Sequence, residues 1–110
     1  MIEYVIMTNL NSKQRKLLEK YANKIEPVVI VGAGGVSEGV TGKISDELGI
    51  HELIKVKFNE FKDEKRELTE GIVNSTDATL VRVIGNIAIL YRAAKEIKDR
   101  KYEKELNKLS

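Results

Sequence analysis

Four residues, Gly32-Ala33-Gly34-Gly35, separate the apolar run Val28-Val29-Ile30-Val31 from a helix-like segment opening at Val36-Ser37-Glu38. A glycine turn at a strand-to-helix junction lets backbone N–H groups and the positive end of a helix dipole meet an anion with few side chains in the way. The chemistry to expect there is phosphate binding. A dinucleotide fingerprint, G-x-G-x-x-G, would require glycine at position 37, where Ser37 stands, and an acid at the end of the following strand, whereas Glu52 lies near its beginning. A Walker A motif can start at Gly34 and reach Gly39, but Val40-Thr41 follows and the lysine is missing. What remains is a G-x-x-G turn feeding a helix N-terminus, the arrangement with which KH modules clamp an RNA backbone. Turns of this kind also serve chain geometry alone.

Basic side chains that could join such a loop are Lys13, Arg15 and Lys16 on the first helix, Lys43 on the second, Lys55 and Lys57 on one strand face, and Arg92 at the end of the last strand. Each phosphate contact adds to a salt-dependent release of counterions, although exposed lysine and arginine are also the norm on any surface. The formal charge is only +2, from 19 basic and 17 acidic residues. Its distribution is uneven: residues 10–24 are mostly basic, residues 59–77 carry Glu60, Asp63, Glu64, Glu67, Glu70 and Asp77, and residues 78–92 hold Arg82 and Arg92 without an acid. A polarised surface can bind a polyanion at near-neutral total charge. The inner loop positions, Ala33 and Gly34, add no charge, so binding would rest on backbone amides and flanking helices. Tyr21 and Phe58 read as core and Tyr91 as packed within a strand, so recognition of RNA shape and backbone is expected rather than a sequence code.

Catalytic chemistry finds few residues. His51 is the single histidine and there is no cysteine, which removes thiolate metal sites and disulfides. Asp46-Glu47 and Asp63-Glu64 are adjacent pairs on helical segments, where neighbouring side chains diverge. No enzyme activity, metal, cofactor or small-molecule substrate is expected.

The positioning elements follow from punctuation and period. Asn11 followed by Gln14 forms a capping-box signature, Leu17, Leu18, Tyr21 and Ile25 recur at helical spacing, and Pro27 stops the run, so a first helix is expected over residues 12–25. A buried strand, Val28 to Val31, precedes the loop. Val36, Val40, Ile44 and Leu48 then mark a second helix with Ser37 as N-cap and Gly49 as C-cap. Gly39 and Gly42 share one face of it, where close backbone packing is expected. Ile50 to Phe58 alternates as a strand, with Ile50, Glu52, Ile54, Val56 and Phe58 on one side and His51, Leu53, Lys55 and Lys57 on the other. A third helix is expected over residues 62–74, a loop over residues 74–77, and a hairpin of residues 78–84 and 87–91 about Gly85-Asn86. The order is α-β-α-β-α-β-β, an α/β domain. Residues 94–110 are charge-dense and read as a solvent-exposed helical extension.

At 110 residues with 42% hydrophobic content the chain has one domain's worth of core. No apolar run approaches the roughly 20 residues of a membrane span, and Met1 to Met7 lacks the form of a signal peptide. A cytoplasmic protein without a membrane partner is the expectation.

Read together, Leu10-Asn11-Ser12-Lys13-Gln14-Arg15, the stretch from Pro27 through Gly32-Ala33-Gly34-Gly35 to Val40, His51-Glu52-Leu53-Ile54-Lys55-Val56-Lys57, and Val83-Ile84-Gly85 with Leu90-Tyr91-Arg92 resemble the CRM domain family in its stand-alone YhbY-like form. The resemblance covers residues 8–93 and leaves residues 1–7 and 94–110 as extensions. It implies a compact four-stranded mixed sheet packed with helices, similar to the C-terminal domain of translation initiation factor three, with a G-x-x-G loop that contacts RNA. It further implies ribosomal RNA or a large-subunit precursor as partner, in ribosome assembly or rRNA maturation. A protein-binding adaptor working through the acidic third helix and the C-terminal extension is the alternative.

Overall fold

The structure, a computed structural model, describes residues 10–110; the N-terminal extension at residues 1–7 lies outside them. Helix α1 spans Ser12–Ala22 and begins with the capping box expected of its sequence. Asn11 Oδ1 accepts the Gln14 N–H at 2.8 Å and Gln14 Oε1 accepts the Asn11 N–H at 2.9 Å. It ends three residues short of position 25. The Lys24 and Ile25 N–H groups fall back to the carbonyls of Tyr21 and Ala22, tightening the chain into i→i+3 bonds ahead of Glu26, which precedes Pro27 and is steered away from helical geometry.

Strand β1, Val29–Val31, leads through the glycine loop into α2, Glu38–His51. Ser37 caps α2 as expected, its Oγ accepting the Val40 N–H at 3.2 Å. Gly49 does not end the helix, which continues to His51 and stops at Glu52 with φ +66°. The stop is tertiary in origin. The buried Glu52 carboxylate accepts the N–H groups of Ala94 (2.6 Å) and Lys101 (2.7 Å), while its carbonyl accepts that of Arg92 (2.8 Å). Ile50 and His51 are therefore helical, and β2 covers Leu53–Phe58. Gly39 and Gly42 are exposed, with no backbone packed against them, so the expected close approach is absent.

A 3-10 turn at Lys62–Glu64 precedes α3, Lys65–Thr76. The helix extends through residues 74–76 of the expected loop, where Ser75 Oγ and Thr76 Oγ1 donate to the i−4 carbonyls of Gly71 and Ile72, a pairing compatible with the helical backbone. Asp77 closes it in the left-handed region, φ +58°. Strands β3, Thr79–Ile84, and β4, Ile87–Tyr91, form the hairpin around Gly85-Asn86.

The four strands are ordered β1-β2-β4-β3, with β1 and β2 parallel and the other pairs antiparallel. Both sheet faces are covered. On one, Ile44 and Leu48 of α2 and Ile72 of α3 pack with Val29, Val31, Ile54, Val56, Phe58, Ala88 and Leu90. On the other, Leu18 and Ala22 of α1 pack with Leu53, Val81, Ile89, Tyr91 and Leu106. Burial on both sides explains why Leu53 is as hidden as Ile54 although they point oppositely. Val81 faces the second cluster, and a register shift between Leu80 and Arg82 resets the alternation so that Val83 as well as Leu80 packs with the first.

The C-terminal segment holds a 3-10 turn at Ile97–Asp99 and a short helix α4, Glu103–Lys108. It is docked rather than solvent-exposed along its length. Leu106 is buried, the Tyr102 ring lies 5.2 Å from Tyr21 and 6.2 Å from Tyr91, and Gln14 Nε2 and Asn11 Nδ2 donate to the carbonyls of Leu106 and Leu109.

Candidate nucleic-acid interface

The glycine loop is a closed turn: the Gly35 N–H donates to the Gly32 carbonyl at 3.0 Å. Gly35 alone needs to be glycine for the fold, with φ +72° and the Phe61 ring 3.4 Å from where a Cβ would stand. At Gly32 and Gly34 a Cβ would meet nothing within 4 Å, and neither has a left-handed φ. Ala33 and Gly34 are exposed at the tip. Two glycines that packing does not demand thus leave the backbone bare at the mouth of α2, whose first N–H groups lack intrahelical partners.

The basic candidates are dispersed over several surfaces. Lys57 is nearest the loop by register: it pairs with Ile30, two positions before Gly32, on the sheet face that α1 leaves open there. It is exposed and Lys55 is half-buried. Lys13 and Lys16 join Lys20 in a stripe on α1 directed away from buried Leu18 and Ala22. Lys43 is exposed on α2, in the layer across the sheet from α1. Arg15 turns inward, donating to the Leu10 carbonyl at 2.7 Å. Arg92 stands at the far end of the sheet from the loop, beyond the Leu53–Tyr91 pair. Its guanidinium is engaged by Ser45 Oγ (3.0 Å), the Ser45 carbonyl (2.8 Å) and the Thr76 carbonyl (2.8 Å).

Three residues carry signals that the sequence reading passed over. Arg66 and Arg82 line, with Arg15, a groove of about 300 Å³ along the outer strand β3, and Arg82 is held by Glu19 at 2.8 Å. A view of each charge run along the chain cannot reveal that three arginines from α1, α3 and β3 meet at one edge. Phe61 is 42% exposed beside the glycine loop; its position amid Glu60, Lys62 and Asp63 was the available hint, an aromatic in a charged segment.

His51 Nε2 lies 3.4 Å from Glu47 on the same helix, both reaching solvent. Among the described residues no three acidic, histidine or cysteine side chains converge on a metal site, and no helix is long and apolar enough to cross a membrane. Tyr91 is buried, and that burial pushes its phenol well above the usual tyrosine range; it is a core residue rather than a stacking platform.

The CRS1/YhbY (CRM) domain model matches residues 10–92, from the residue before the α1 cap to the arginine that follows β4. The chain belongs to the CRM domain family. A Haemophilus influenzae protein named "RNA-binding protein" is 41% identical over 93 residues, covering 84% of this chain and 94% of that one. A Bacillus subtilis relative, "Probable RNA-binding protein YqeI", is 34% identical over 90 residues, covering 81% and 94%. The solution structure of SAV1595 from Staphylococcus aureus superposes with a TM-score of 0.69 at 39% identity, over 84% of this chain and 98% of that one. Within this CRM domain, then, the glycine loop and the helices around it lie inside the family match. The docked turn and helix of residues 97–108 lie outside it.

Proposed function

We propose that this CRM domain binds RNA by its sugar-phosphate backbone at Gly32-Ala33-Gly34-Gly35, acting without catalysis in the cytoplasm on ribosomal RNA or a large-subunit precursor. The observation that carries the reading is that Gly32 and Gly34 are bare where packing does not require it, beside a helix N-terminus that favours anions. Lys57 and Lys55 extend the contact along the part of the sheet face that α1 leaves open, and the lysine stripe of α1 with Lys43 supplies weaker, longer-range attraction. Arg15, with Arg66 and Arg82, forms a separate basic edge. Arg92, engaged by Ser45 and Thr76, is a structural clip in this reading. The names of the relatives support RNA as the partner class.

The test is retention of large-subunit ribosomal RNA by the native chain, Gly34→Asp and Lys57→Glu at two salt concentrations. Weakened binding by both variants, with a salt slope shallower by about 0.7–0.9 for the lost lysine contact, is the expected result. Unchanged binding by both would remove the loop from the interface. Co-sedimentation with large-subunit precursors addresses the cellular target.

A further inference from the structure

The β2–α3 connection is built to bring an aromatic ring to the glycine loop. The Val31 carbonyl, last in β1, accepts two N–H groups from this connection, those of Asn59 (3.0 Å) and Glu60 (3.2 Å). The next residue, Phe61, then adopts φ +58°, a left-handed conformation unfavourable for a bulky side chain. This turn sets the ring against Gly35, with Cε2 and Cζ at 3.4 and 3.7 Å from the position of a Cβ. The residue is nevertheless 42% exposed. The left-handed backbone is costly for phenylalanine and marks a residue held in place by its surroundings, here with part of its aromatic surface open beside the loop.

We infer that Phe61 is a stacking platform for one unpaired base of the RNA whose phosphate occupies the glycine loop. The inference deepens the RNA reading and rests on it: the ligand class becomes single-stranded or bulged RNA rather than uninterrupted duplex. The local charge balance agrees with a base there better than with a phosphate, since exposed Glu60, Asp63 and Glu64 neighbour Phe61 in the chain against exposed Lys62. The acids repel the backbone toward the loop side. Stacking on a single ring is tolerant of base identity, because every base offers a π-face. It therefore gives selectivity for an unpaired nucleotide without a sequence code. Tyr91, Tyr102 and Tyr21 cannot substitute, being packed together between α1, α4 and the sheet.

Three RNA probes separate stacking from mere support of the loop: a single-stranded oligoadenylate decamer, the corresponding duplex, and an abasic ribose-phosphate decamer. The native chain should bind the decamer more tightly than the abasic strand. Phe61→Leu, which keeps an apolar contact on Gly35 but has no π-face, should lose about 5- to 100-fold toward the decamer and little toward the abasic strand. Phe61→Trp should retain affinity, and its emission, the only tryptophan signal in this chain, should be quenched by the decamer and not by the abasic strand. Equal losses by Phe61→Leu on all three probes, or quenching independent of bases, would overturn the inference while leaving the loop as an RNA site. Failure of the native chain to bind any of these probes while it retains ribosomal RNA would overturn the stacking alone; failure to bind ribosomal RNA as well would overturn the RNA reading and the stacking with it.

Discussion

Arg92 grips Ser45 twice, through Nη1 to the hydroxyl at 3.0 Å and through Nη2 to the main-chain carbonyl at 2.8 Å. Its third bond, to the Thr76 carbonyl, ties the end of β4 to both helices of one layer. Arg92→Ala leaves those half-buried carbonyls without their charged donor and should cost about 2–3 kcal/mol. Urea denaturation with an unchanged m-value measures it. RNA affinity of the folded variant should match the native chain.

The phenol of Tyr91 is held above its ordinary range, first by burial and then by the Glu52 and Glu103 carboxylates. The neutral form is the one the fold accommodates. Tyr91 thus adds stability that is fully present below the unfolded-state value near 10 and lost as pH rises above it. Stability compared at pH 8 and 11 should fall more steeply for the native chain than for Tyr91→Phe. Parallel curves would contradict this.

Thr69 is fully buried on α3 and, among the described residues, its Oγ1 has no hydrogen-bond partner. Thr69→Val keeps the shape and removes the unsatisfied hydroxyl. It should stabilise the domain by about 1 kcal/mol, read as a higher urea midpoint.

The buried Leu106 anchors α4 against Leu18, Leu53 and Tyr91. Leu106→Ala should destabilise the domain by about 2–4 kcal/mol and expose residues 94–110 to limited proteolysis before the rest of the chain.

What was legible in the sequence is what neighbouring residues decide among themselves. The Asn11–Gln14 box, the Ser37 cap and the Gly85-Asn86 hairpin each depend on contacts within a few positions, and each is present. The G-x-x-G turn belongs with them. The end of α2 was not legible, because Glu52 is fixed by Ala94 and Lys101, more than forty residues away. For the same reason the 94–110 segment looked like an exposed helix although Tyr102 and Leu106 pack with α1. In the candidate site, the role of Arg92 depended on where Ser45 and Thr76 would stand. Phe61 depended on a left-handed backbone that no sequence rule assigns to phenylalanine.

The loop itself permits the sharpest test. Gly35→Ala conflicts with φ +72° and with the Phe61 ring and should cost about 1–2 kcal/mol of stability. Gly34→Asp meets open space and should change stability by no more than about 0.5 kcal/mol. Its carboxylate would nevertheless face the bound phosphate. The deciding measurement is the affinity of Gly34→Asp and native chain for the same large-subunit ribosomal RNA fragment at low salt, with stability recorded in parallel. Binding should be weaker by about tenfold or more in a variant that is as stable as the native chain. Equal affinity in the two would contradict phosphate binding at the loop.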